Sequence, residues 1–148
     1  MTNAEKAKQY FKEGYNCCQA VVLAFIDELN IDRETALALS SSFGGGFGRL
    51  REICGAVSGM GIVAGLKFGY TSPEANTNGK KAEHYALIQK LAKEFEEKNG
   101  SIICKELTGI EKGTHIPAER NKEYYQKRPC GDLVYDAAKI LEDILAQE

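Results

Sequence analysis

The chain has 148 residues, with 19 Lys+Arg against 21 Asp+Glu, 43% hydrophobic residues, 15 glycines, five cysteines and no tryptophan. That length suits one domain, and a chain near 150 residues buries roughly 70% of its unfolded surface, enough for a core without disulfide staples. A formal charge of −2 argues against a nucleic-acid or polybasic membrane binder, and five cysteines are too few for a disulfide-dense secreted scaffold.

Met1 to Lys12 mixes Glu5, Lys6, Lys8 and Lys12 with small residues and lacks the apolar run of a targeting segment. The uncharged stretch from Ile53 to Leu66 carries glycine at 55, 59, 61 and 65. It is too short to span a membrane and suits a buried core helix. The expectation is a reducing, cytoplasmic setting, in which cysteines point to metal or redox chemistry rather than structural bridges.

Thr2 or Asn3 can cap a first helix to about Glu13, stopped by Gly14. Asn16 can cap a second, Cys17 to about Asn30, apolar on nearly every face from Ala20 to Ile26 and therefore central. Asp32 opens a third helix that carries towards Phe43. Gly44-Gly-Gly-Phe-Gly48 then predicts a turn or open loop. A fourth helix starts near Glu52 or Cys54 and ends around Tyr70. Glycine disfavours a helix by about 1 kcal/mol per residue against alanine. The rows Gly61, Gly65, Gly69 and Gly55, Gly59 would offset this if neighbours approached on two sides.

Thr71-Ser-Pro-Glu starts the next element. A long helix follows over Gly79 to Asn99, with Tyr85, Ile88, Leu91, Ala92 and Phe95 on one stripe. A short helical turn fits Ile102 to Leu107. Residues 108–128 read as polar loop, with one helical turn around Glu123 to Gln126 and Tyr124 and Tyr125 at the surface. Pro129-Cys130-Gly131-Asp132 precedes a last helix whose stripe is Leu133, Ala137, Leu141 and Ile144. No segment alternates with period two. The reading is one all-α domain, residues 1–148, a bundle of about six to seven helices.

Cys17, Cys54, Cys104 and Cys130 each fall at or near a helix start, where free backbone N–H groups favour an anion and lower a thiol's pKa. Were the four helix starts to converge, they would form a four-thiolate site or two thiol pairs. Cys18 belongs instead to an apolar stripe with Val22, Phe25, Ile26 and Leu29. With no CxxC pair, the zinc-ribbon and thioredoxin signatures are missing, and with no CxxCH so is a c-type haem.

The run Phe43 to Arg51 has two readings: a phosphate-cradling loop, although it lacks the GK[ST] ending, or a closely packed loop over Cys54. The second is preferred. Gly44, Gly45, Gly46, Arg49 and Gly55 are candidate cofactor-contacting positions, with Arg49 and Arg51 expected to favour the Cys54 thiolate. Gly59-Met-Gly61-Ile-Val-Ala64 matches GxGxxA but sits inside a helix, so dinucleotide binding is rejected. His84 and His115 read as structural or solvated.

Asn16-Cys17-x-Gln19-Ala20-Val21, Phe43-Gly-Gly-Gly-Phe-Gly-Arg49 and Cys54-Gly-Ala-Val-Ser-Gly59 together resemble a family of redox-active proteins named for a CGAxxG motif and four cysteines. Cys104-Lys-Glu-Leu and Cys130 with Leu133-Val134 and Ala137-Ala138 agree. The resemblance runs from about Ala4 to Leu145 and is weakest over Thr108 to Lys127. It implies that the family's four cysteines are Cys17, Cys54, Cys104 and Cys130, with Cys18 extra. The family is also similar to a domain of split-Soret cytochromes, whose cysteines are associated with an iron–sulfur cluster. This chain lacks any haem motif, so only the cysteine site transfers.

The expected function is electron transfer through an iron–sulfur centre of two irons, or another thiolate–metal centre, held by Cys17, Cys54, Cys104 and Cys130, in an oxidoreductase component. The alternatives are a metal-free dithiol–disulfide protein, with Cys54 attacking, and a helical binding or oligomerisation module with merely buried cysteines. Structural zinc is a poorer variant, since Cys17, Cys54, Cys104 and Cys130 include no closely spaced pair. A redox partner is implied, and a homodimer is compatible with the glycine rows.

Overall fold

The computed structural model describes residues 1–111, 113–121, 124 and 129–147. Seven α-helices order the described chain: α1 Asn3–Lys12, α2 Cys17–Ala24, α3 Arg33–Ser40, α4 Gly55–Phe68, α5 Lys80–Asn99, α6 Cys104–Thr108 and α7 Cys130–Leu145. No strand occurs among the described residues; an isolated antiparallel bridge joins Ile53 to Ile103. No described helix is long and apolar enough to cross a membrane. The molecule is an all-α bundle.

Capping chemistry sets the helix starts. Thr2 accepts from the Glu5 N–H while Glu5 bonds back to the Thr2 N–H, and Asn16 and Gln19 repeat this box at α2. Asp32 caps α3, and left-handed Gly79 and Gly100 bracket α5. α2 is the central helix, with Cys18, Ala20, Val21, Val22, Leu23 and Ala24 all buried. α1 and α4 pack on it, and α7 lies along α1 and touches α2, α4 and α5. Phe11, Phe25, Phe95, Met60, Leu91 and Leu141 fill the interior. Burying each such side chain contributes about 1.5–3 kcal/mol.

Three expectations need correction. α2 ends at Ala24, not near Asn30, because the chain tightens at Phe25 into a 3-10 turn, Ile26–Glu28, that delivers Leu29 to the core. The glycine rows of α4 are clasped on one side only. A Cβ on Gly59 would meet Val21 Cβ at 2.8 Å, whereas Cβ atoms on Gly61 and Gly65 would meet nothing within 4 Å. The first half of α5 is consequently poorly buried. Leu91 and Phe95 enter the core, but Tyr85 is exposed beside the open groove at Gly61 and Gly65. The helical turn expected around Glu123 to Gln126 lies outside the described residues apart from Tyr124.

Candidate four-cysteine site

Cys17 and Cys130 are the first residues of α2 and α7, whose packing brings the two thiols into a hydrogen bond. Cys54 and Cys104 are paired by backbone. The Ile53–Ile103 bridge is flanked by Cys54 N–H to Ile102 O at 2.8 Å and Cys104 N–H to Glu52 O at 2.6 Å. Cys54 is thereby fixed as the N-cap of α4 and Cys104 as the first residue of α6.

The glycine run forms a left-handed turn above these thiols. Gly45, Gly46, Phe47, Gly48 and Arg49 all have φ between 59° and 71°, and Arg51 repeats the conformation at 61°. The turn is tied down by Arg51 N–H to Gly45 O at 3.1 Å and Glu52 N–H to Gly46 O at 2.9 Å. A Cβ on Gly46 would lie 2.7 Å from both Cys104 Cβ and the Glu52 nitrogen, so the absence of a side chain lets the turn close on Cys104. Gly55 makes a similar approach, its virtual Cβ 3.1 Å from Cys17 Cβ.

Cys17, Cys54, Cys104 and Cys130 line one cavity of about 50 Å³, together with Gly45, Gly46, Gly55 and Arg51. Cys18 is fully buried in the core and is not part of this lining. Burial pushes the Cys54 thiol up to about 12, although the N–H groups of Ala56 and Val57 oppose this. Cys17 is raised well above the usual thiol value, first by its hydrogen bond to Cys130, then by burial and by charge on the other three cysteines. Burial also carries Cys18 to about 12. The helix-start field is present at Cys54, but desolvation outweighs it, contrary to the expected lowering.

Arg51 is the other buried group of consequence, at 2% exposure. Its Nη1 lies 3.8 Å from Cys104 Sγ, while Nε and Nη2 have no hydrogen-bond partner among the described residues. Arg51 therefore engages Cys104 directly and shares the cavity with Cys54. No group of three or more His, Cys, Asp or Glu side chains among the described residues is arranged to hold a metal ion.

Residues 15–144 match the family described as "Putative redox-active protein (C_GCAxxG_C_C)". The chain belongs to this family. No curated protein and no solved structure matches. The family label writes its central motif Gly-Cys-Ala; the chain carries it as Cys54-Gly55-Ala56, with Gly59 three residues further on.

Of the candidate cofactor-contacting positions, Gly45, Gly46 and Gly55 stand at the cysteine cavity, while Gly44 and Arg49 do not. Gly44 packs on the Asn16 side chain, and Arg49 Nη1 donates outward to Thr114 O at 3.0 Å. Gly59 to Ala64 lie inside α4, as expected of a spurious dinucleotide motif. His84 packs edge-on to Tyr70, and His115 is exposed. Two cavity residues escaped the sequence. Arg120 donates to Phe11 O at 2.7 Å and Tyr15 O at 3.0 Å, and its guanidinium covers the Phe11 and Tyr124 rings. Tyr124 stacks on Phe11 instead of lying on the surface, and Tyr125 is outside the described residues. Neither belongs to a periodic stripe, the signal that locates buried positions.

Proposed function

We propose that this protein is an electron carrier whose Cys17, Cys54, Cys104 and Cys130 hold an iron–sulfur centre of two irons. The observation that carries the reading is four cysteines from four separate elements lining one cavity beside a buried, incompletely paired arginine. The donor set fits: four thiolates are the usual ligands of such a cluster, and the protons that burial favours on Cys17 and Cys54 would be given up when iron is bound. The four thiols line one cavity, and a single zinc ion is the poorer fit because zinc sites usually draw on a closely spaced cysteine pair, which these four lack. Arg51 offsets the negative charge that four thiolates bring, and the glycine turn and Gly55 exclude side chains from the space. When bound, the cluster supplies one-electron transfer.

A second reading rests on the Cys17–Cys130 hydrogen bond. In a metal-free cycle these two sulfurs, not Cys54, would form the disulfide, giving up two protons and two electrons to an oxidised thiol partner. Anaerobic reconstitution with ferrous iron and sulfide separates the two. Cluster absorption should develop in the parent and in Cys18→Ser, and be lost in Cys54→Ser and Cys104→Ser. No absorption in the parent, with a Cys17–Cys130 disulfide after mild oxidation, would replace the first reading by the second.

A further inference from the structure

A second, larger cleft of about 410 Å³ adjoins the cysteine cavity and shares Asn16, Gly45, Arg51, Arg120 and Tyr124 with it. That volume lies in the range of small-molecule sites, about 300–1,000 Å³. The described lining carries Arg49, Arg51, Arg120 and His115, and no aspartate or glutamate. Arg120 is held by backbone carbonyls and aromatic faces, which orient its guanidinium without neutralising it.

Arg51 decides what this cleft is suited to bind. A buried cation is costly without anionic partners, and Arg51 is 2% exposed with no carboxylate among the described residues that line the cleft. The Cys104 sulfur, a weak acceptor, engages Nη1 only. The two nitrogens left over, Nε and Nη2, form one edge of the planar guanidinium. That edge carries two parallel N–H groups, both buried, in the geometry that grips a carboxylate or phosphate through both oxygens. The Arg51 backbone is fixed at both ends, its N–H on Gly45 O and its carbonyl accepting from Lys105 N–H at 3.2 Å, so the fork is pre-positioned.

We propose that the cleft binds a small organic oxyanion, a carboxylate or phosphate compound, with its anionic group on the Nε/Nη2 edge of Arg51 and Arg120 adding positive potential. Such a ligand lies beside the thiol cavity. The binding step stands on the cleft and the arginine, whatever the cysteines carry.

The test is calorimetric titration of the full chain, purified anaerobically, with inorganic phosphate and separately with succinate at fixed ionic strength. Saturable binding of at least one probe is expected, weakened tenfold or more in Arg51→Gln and in Arg51→Lys, which keeps the charge but loses the fork. Phosphate alone binding assigns the phosphate class, and succinate alone the carboxylate class. If Arg51→Gln fails to fold, Arg51→Lys carries the comparison. Binding of neither probe, or binding that both variants leave unchanged, overturns the proposal. Iron and sulfide assays on the same samples report separately on the centre, so a chain that binds phosphate without iron keeps the cleft and loses the cluster.

Discussion

At Cys54 two effects of opposite sign meet. The N–H groups at the start of α4 favour a thiolate, burial favours the thiol, and burial prevails, lifting the group from the usual value near 9 to about 12. In reduced, metal-free protein the fold therefore stabilises the neutral thiol. That contribution is complete below about pH 9, where the unfolded chain is also protonated, and is lost as pH rises from 9 to 12. Urea midpoints of the metal-free protein should accordingly fall across this alkaline window and Cys54 should resist alkylation at pH 8; rapid labelling there would contradict the assignment. Cys18, buried to 0%, shares the burial effect but lies outside the cavity. Cys18→Ala should cost about 1 kcal/mol in urea unfolding and leave the reconstituted cluster spectrum unchanged. The distinction between Cys17 and Cys18 is legible in sequence, since Cys18 continues an apolar stripe and Cys17 follows a cap. The role of Arg51 is not, because its burial depends on a left-handed backbone that local sequence does not announce.

At the scale of elements, the left-handed turn is the unusual piece. Phe47, Arg49 and Arg51 hold φ near +60° to +71°, at a cost of roughly 1–2 kcal/mol each for residues that carry a Cβ. The strain sits where the turn must close over Cys104, a common placing for strained backbone beside a functional site. Gly46→Ala should destabilise by about 2 kcal/mol or more and disturb cluster assembly, since the new methyl group would meet Cys104 and the Glu52 amide. Gly61→Ala and Gly65→Ala should instead stabilise by about 0.5–1 kcal/mol, because open space surrounds both positions inside a helix. Thermal or urea unfolding of the three variants checks the contrast, and equal losses at all three would refute it. Elements with a continuous stripe read well from sequence: α7 buries Leu133, Ala137, Leu141 and Ile144 as its spacing predicts. α5 reads only half correctly, because periodicity locates an apolar face but not whether a partner covers it. The glycines of α4 withhold that partner along the first half of α5.

Across the whole molecule, the cavity is a product of convergence. α2 and α7 bring Cys17 to Cys130, the Ile53–Ile103 bridge sets Cys54 beside Cys104, and the glycine turn covers them. Helix starts can be read from caps and glycine stops, but their meeting point depends on packing between residues more than a hundred positions apart. Arg120 illustrates the limit, since it reaches Phe11 O and Tyr15 O from a loop without periodicity. In the proposed function these four thiols are the ligands of one iron–sulfur centre. The most direct test is the iron and acid-labile sulfide content of the chain purified without exposure to oxygen, alongside a count of free thiols in denaturant after the metal is removed. Iron and sulfide in equal amounts, with all five thiols recovered without reductant, are expected. Colourless protein with no iron, and two thiols recovered only after reduction, would contradict this function.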